Sequence, residues 1–113
     1  MFEIKHRQVG DVVVIDLPSQ GFGSDRCLMS YVVYRLPNAK KIVFNMKECK
    51  KISAREVGEI LRCNELEKVL DGQLKLAEVK TAVWTKLEKL NVTSQLDICE
   101  SEISAIASFN QAA

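Results

Sequence analysis

Ser53 and Glu56 stand three residues apart, where a β-like apolar run, Lys41 to Met46, gives way to a helical pattern. A Ser followed three residues later by a Glu, just before apolar helix positions, forms a capping box: each side chain satisfies a backbone N–H of the other residue. The same hydroxyl is placed for other chemistry. A phosphate at a helix N-terminus meets unpaired N–H groups and the positive end of the helix dipole. Lys47, Lys50, Lys51 and Arg55, interrupted by Glu48, surround that point. Such a rim suits an acidic partner or a small anion, and it also suits a solvated loop. Ser53 reads first as an N-cap and second as a candidate phosphorylation site, with the neighbouring cations neutralising the added charge.

No catalytic set accompanies these residues. The chain has four cysteines, Cys27, Cys49, Cys63 and Cys99, none in a C-x-x-C pair, and its one histidine, His6, is far from them in sequence. Metal-ligand spacing is therefore missing, and the thiols read as small apolar residues. A thiol redox sensor is the minority reading, which unchanged behaviour after mild peroxide treatment dismisses. There is no P-loop and no dinucleotide fingerprint, and Gly21-Phe22-Gly23 is too short to cradle phosphate. Glu65 with Glu67, and Glu100 with Glu102, read as surface charges. The sequence predicts neither an enzyme nor a cofactor.

At 113 residues the chain is expected to be one domain, with an ordered core over about 2–109. Hydrophobic residues make up 47% and charged residues 27%, with a formal net charge of +1. That balance argues against disorder and against a whole-molecule field for nucleic acid. Apolar runs such as Val12 to Ile15 are far shorter than the roughly 20 residues of a membrane span. The first residues carry no signal-peptide pattern, so a cytoplasmic location without direct membrane insertion is expected.

The elements that must position these groups alternate. Phe2 to His6 predicts an edge strand, Val9-Gly10-Asp11 a turn, and Val12 to Leu17 a second strand closing a hairpin. Pro18 to Gly23 is a loop. Ser24 or Asp25 caps a helix to about Leu36, with Leu28, Tyr31, Val32 and Leu36 on one face. Lys41 to Met46 is a strand. Ser53 starts a second helix bearing Val57, Ile60, Leu61, Leu66 and Leu70, and Asp71-Gly72 stops it. Gln73 to Val79 is a strand, and Thr81 to Leu90 a helix with Val83, Trp84, Leu87 and Leu90 inward. Leu96 to Cys99 is a fifth strand, and Ser101 caps a last helix. Strands separated by helices pair in parallel. The partial alternation within them predicts helices mainly on one face, and a more open second face that a partner could cover.

This order, together with the Gly-containing loop after Leu17, the junction at Ile52 to Leu61 and the Asp71-Gly72 turn, resembles the STAS domain. That family covers anti-sigma factor antagonists and cytoplasmic tails of sulfate transporters. The resemblance spans residues 2–109 and implies an α/β fold: a mixed five-stranded sheet, parallel except for an N-terminal edge hairpin, with about four helices. Family members usually carry Asp-Ser-Ser/Thr-Gly-Leu-Gly at the junction. Here those places hold Ser53, Ala54, Arg55, Glu56, Val57 and Gly58, and only Gly58 is kept. The phospho-accepting hydroxyl falls at Arg55, which cannot take phosphate.

The resemblance implies a regulatory module that docks onto a protein partner and is not switched at the usual position. The expected contact residues are Phe22, which reads equally as an exposed loop anchor or as a core residue, Lys47, Lys50, Lys51, Ser53, Arg55, and, in the first turns of the helix, Glu56 and Glu59. The implied partners are an anti-sigma factor with a serine-kinase fold, a stressosome-type assembly, or a transporter component. A different class of reading is a small-anion or nucleotide-binding module that uses the basic loop 47–55 and the helix N-terminus at Ser53.

Overall fold

Gly10 sits at φ +62° in a two-residue turn, and this turn sets the register of the first hairpin. A glycine at the first central position of a tight hairpin supplies the positive φ that such turns require. Val9 therefore faces Val12 and Lys5 faces Asp16, giving antiparallel strands β1 (Lys5–Val9) and β2 (Val12–Asp16). The computed structural model describes residues 4–19, 22 and 27–109. The first strand thus starts later than Phe2. Its charged sequence has no apolar alternation, so the turn sets where it pairs.

From β2 onward the pairing is parallel, through β3 (Lys41–Asn45), β4 (Gln73–Ala77) and β5 (Asp97–Ile98). The sheet order is β1-β2-β3-β4-β5. Each crossover moves one strand in the same direction, and right-handed crossovers then place every connecting helix on one face. Those connections are α1 (Cys27–Ser30), running on into a π-helical turn at Tyr31–Arg35, then α2 (Ala54–Val69) and α3 (Thr81–Lys89). The cap expected at Ser24 or Asp25 lies outside the described residues. Val13, Ile15, Ile42, Phe44, Leu74 and Leu76 form the sheet side of the larger core. Leu28, Val32, Val57, Ile60, Cys63, Val83 and Leu87 cover them.

The opposite face is narrower than the strand pattern implied. α4 (Glu102–Phe109) returns across it, and Ala105 and Phe109 pack on Val12, Val14, Val43 and Ala77. Ile42-Val43-Phe44 is accordingly buried on both sides and reads as a continuous apolar run. Lys75 also lies under α4. It is buried, with Nζ bonded to Asp97 at 2.9 Å and held 4.8 Å from the centre of the Phe109 ring. In α3, Val83 and Leu87 take the core while Trp84, one step of about 100° around the helix, stays 39% exposed. Trp84 is therefore not the core residue its spacing suggested, and Leu90, 38% exposed, is not one either.

Candidate functional site

The basic loop is folded by three residues that turn inward. Met46, Cys49 and Ile52, spaced three apart, are buried, so Lys47, Glu48, Lys50 and Lys51 between them point to solvent. Backbone and side-chain bonds hold this course. The Cys49 N–H donates to Met46 O at 3.0 Å, the Cys49 thiol to Lys51 O at 3.4 Å, and the Lys47 N–H to Asn45 Oδ1 at 2.9 Å. The rim is thus a shaped surface on the C-terminal ends of the parallel strands. In open α/β sheets that is the end where ligands and partners bind.

α2 begins there with the predicted capping box. Ser53 Oγ accepts from the Glu56 N–H at 3.2 Å, and Glu56 Oε1 accepts from the Ser53 N–H at 2.8 Å. Ser53, Ala54 and Arg55 are exposed, while Glu56 is 7% exposed. The negative charge that a helix N-terminus offers to bind is therefore supplied from within the chain. Any phosphate placed on Ser53 would lie beside that carboxylate.

The other predicted contact residues divide. Lys47, Lys50, Lys51, Ser53 and Arg55 share one exposed rim. Phe22 does not belong to it. Its side chain is fully buried in the larger core, and its carbonyl accepts from the Leu28 N–H at 3.2 Å. Burying a phenylalanine contributes about 1.5–3 kcal/mol, which outweighs the flexibility its glycine neighbours suggest. Phe22 is a core residue rather than a ring presented to solvent. Glu59 is also buried: its Oε2 accepts from the Met29 N–H at 3.2 Å, tying α2 to α1.

A second cluster beside the rim was missed by sequence reasoning. Arg7 on β1 makes a forked contact with Glu102 at the start of α4, with Nη2 2.7 Å from Oε1 and Nη1 3.1 Å from Oε2. Its Nε and Nη2 also grip both oxygens of Asp16, at 2.8 and 2.7 Å. Asn45 Nδ2 donates to Glu102 Oε1 at 2.8 Å, and Glu78 Oε2 accepts from the Glu102 N–H at 2.8 Å. Hydrogen bonding from Arg7 holds the Glu102 carboxyl below its ordinary range, with Asn45 adding to the effect. Glu102 is therefore a bonded link rather than a free surface charge. Asn45 joins this cluster to the basic loop through Lys47. The one sequence signal was Asp16, which breaks the apolar run of β2.

Two of the thiols, Cys49 and Cys63, are poorly placed for redox chemistry. Burial, with Glu56 nearby, pushes the Cys49 thiol up to about 11, and burial with Glu59 and Glu67 pushes Cys63 up to about 12. A thiol held this high carries almost no thiolate at neutral pH.

No protein-family model matches the sequence, and no curated protein does. The fold, in contrast, has clear counterparts. A Thermotoga maritima protein assigned as an anti-sigma factor antagonist superposes with a TM-score of 0.81 at 14% identity, over 96% of this chain and 95% of that one. The anti-sigma factor antagonist SpoIIAA, in its unphosphorylated form, gives 0.76 at 15% identity, over 98% of this chain and 99% of its own. A chain from the molecular architecture of the stressosome, a signal integration and transduction hub, also gives 0.76, at 13% identity, over 94% of this chain and 96% of its own. The fold is the STAS fold: a five-stranded sheet, antiparallel at β1-β2 and parallel elsewhere, with four helices.

Proposed function

We propose that this chain is a non-enzymatic regulatory module that binds a protein partner through the exposed rim Lys47, Lys50, Lys51, Ser53 and Arg55. The observation that carries this reading is the N-terminus of α2. It is closed by its own capping box and ringed by outward cations at the end of the sheet. The STAS fold supports the reading, because anti-sigma factor antagonists share it. Phe22, Glu56 and Glu59 act beneath the surface. They belong to the core, to the cap and to the α1–α2 contact, respectively.

The module is not switched by phosphate at the usual family position. Arg55 occupies it, and the adjacent Glu56 carboxylate already accepts from the Ser53 N–H. Control then falls to partner level. The partner classes are an anti-sigma factor with a serine-kinase fold, a stressosome-type assembly, or a transporter component. If a phospho-switch is retained, Ser53 is its acceptor. A small-anion or nucleotide site at the same helix end has less to offer, since the cap already satisfies the N–H groups of Ser53 and Glu56.

The test compares the wild type with a Lys50→Glu, Lys51→Glu, Arg55→Glu variant in affinity capture followed by mass spectrometry. A partner held by the wild type and lost by the variant supports docking through the rim. A partner held equally by both removes this face. Phosphate on Ser53 after exposure to a cognate kinase would make the chain switchable after all. A saturable thermal shift with nucleotide, phosphate or sulfate, lost on Lys51→Ala and Arg55→Ala, would favour the anion module.

A further inference from the structure

At the opposite end of α2, roughly 20 Å from Ser53 at 1.5 Å per residue, the structure holds a cavity of about 220 Å³. Val32, Val33 and Leu36 form one wall, and Leu66 and Leu70 the other. Its origin is local. The chain after α1 widens into the π-helical turn Tyr31–Arg35, and such turns recur at functional sites. On α2 the buried stripe runs through Val57, Ile60, Cys63 and Glu67, with Leu66 half-buried against the edge of the core and Leu70 exposed. The same two segments carry four exposed apolar side chains: Val33 and Tyr34, Val69 and Leu70.

One polar group belongs to this wall. Glu67 is 1% exposed, and its Oε1 is buried without a hydrogen-bond partner. A buried acceptor left unsatisfied costs about 1–3 kcal/mol, so its retention asks for a reason. Burial also raises the Glu67 pKa, against the pull of Lys40. An apolar pocket with one such group is the usual form of a small-molecule site.

We propose that this cavity binds a small, ring-sized apolar molecule carrying one N–H or O–H donor, which Glu67 accepts. The volume sets the size. It exceeds the roughly 150 Å³ cavity that takes benzene and falls short of drug-sized pockets of about 300 Å³ and more, so a fused bicyclic ring fits. Oε1 now abuts Gly72, and on binding the carboxyl turns from Gly72 toward the donor. The site does not depend on the docking rim and stands or falls separately from it.

The test is titration of the isotope-labelled full chain with indole and with indene, which matches the shape of indole but lacks its N–H. Saturable amide shifts confined to Val33, Leu36, Leu66 and Leu70 are expected, with indole bound about fivefold tighter, the worth of one net hydrogen bond. Glu67→Leu is expected to bring the two affinities within about twofold. Val33→Trp, at the half-exposed rim, is expected to abolish both. Absence of localised saturable shifts in the folded wild type overturns the site. Equal affinity for the two probes in the wild type overturns the role of Glu67. Shifts at these amides that grow with protein concentration alone would assign the patch to a second copy of the chain instead.

Discussion

Gly72 is confined by its neighbours rather than by its own backbone angles. α2 ends in a Schellman arrangement: the Gly72 N–H donates to Glu67 O at 2.6 Å and the Asp71 N–H to Lys68 O at 3.3 Å. The left-handed position is taken by Asp71, at φ +64°, so the expected stop is present with the roles of its two residues exchanged. A Cβ on Gly72 would collide with Glu67 Oε1 and come within 3.0 Å of Lys40 O. Gly72→Ala is expected to cost about 1–3 kcal/mol in urea unfolding, as overpacking does. Glu67→Ala in the same chain is expected to recover part of that loss, a non-additivity that marks direct contact. Glu67 also leaves a signature in pH. Its pKa is raised in the fold, so the stability it contributes is present below its ordinary 4.5 and is lost as pH rises through the raised value. Glu67→Leu is expected to remove that decline. At the other end of α2, Ser53→Ala is expected to cost about 1 kcal/mol. Glu56→Gln, which keeps an acceptor for the Ser53 N–H, is expected to cost less. Equal losses would mean that charge, rather than the reciprocal bonds, makes the cap.

α4 is held by two kinds of contact, and they separate experimentally. Ala105 and Phe109 give it an apolar seat, while Glu102 fastens its first turn to Arg7, Asn45 and Glu78. Glu102 has a lowered pKa, so the stability this fastening adds is present above the ordinary glutamate value of 4.5 and is lost as pH falls through the lowered one. The wild type is expected to lose more stability than Glu102→Gln between pH 7 and pH 3, measured by urea midpoint at each pH. Parallel loss in both would place the fastening outside the folding balance. The same contrast explains what the sequence made legible. The order of strands and helices, the cap at Ser53 and the turns at Gly10 and Asp71 rest on short-range chemistry that adjacent residues spell out. The buried face of α2 does not, because Glu56, Glu59, Asn64 and Glu67 lie on it among the apolar residues. Glu56 is explained locally by Ser53, but Glu59 and Asn64 are usable only through partners the fold brings near, the Met29 N–H and the Gln95 carbonyl. In the sequence Phe22 stays open between loop anchor and core, and Glu102 reads as a surface charge, for the same reason. Their surroundings come from segments distant in sequence, and no local pattern encodes them.

The whole molecule is nearly neutral, with 16 Lys and Arg against 15 Asp and Glu, so any electrostatic steering must come from how those charges are distributed. Across β1 and β2, Arg7 is offset by Asp16, and Lys41 at the start of β3 meets Asp11 of the hairpin turn at 2.5 Å. Around the start of α2, Lys47, Lys50, Lys51 and Arg55 stand outward, with Glu48 the interrupting acid and the Glu56 carboxylate turned into the cap. The exposed potential there is positive although the total is close to zero. Charges on the rim of an interface act mainly on the association rate, and salt screens them within about 10 Å at 0.1 M. Association with the captured partner is therefore expected to slow about tenfold between 50 and 500 mM NaCl, with a much smaller change in dissociation. The Lys50→Glu, Lys51→Glu, Arg55→Glu variant is expected to start slow and to lose most of that salt dependence. Lys86→Glu and Lys89→Glu, in the last turn of α3, reverse two charges away from the rim, against three in the rim variant, and are expected to behave like the wild type. Stopped-flow or surface-plasmon kinetics at several salt concentrations decides the matter. If the α3 variant slows association as much as the rim variant, net charge and not the rim guides the encounter, and the docking face must be sought elsewhere on the sheet.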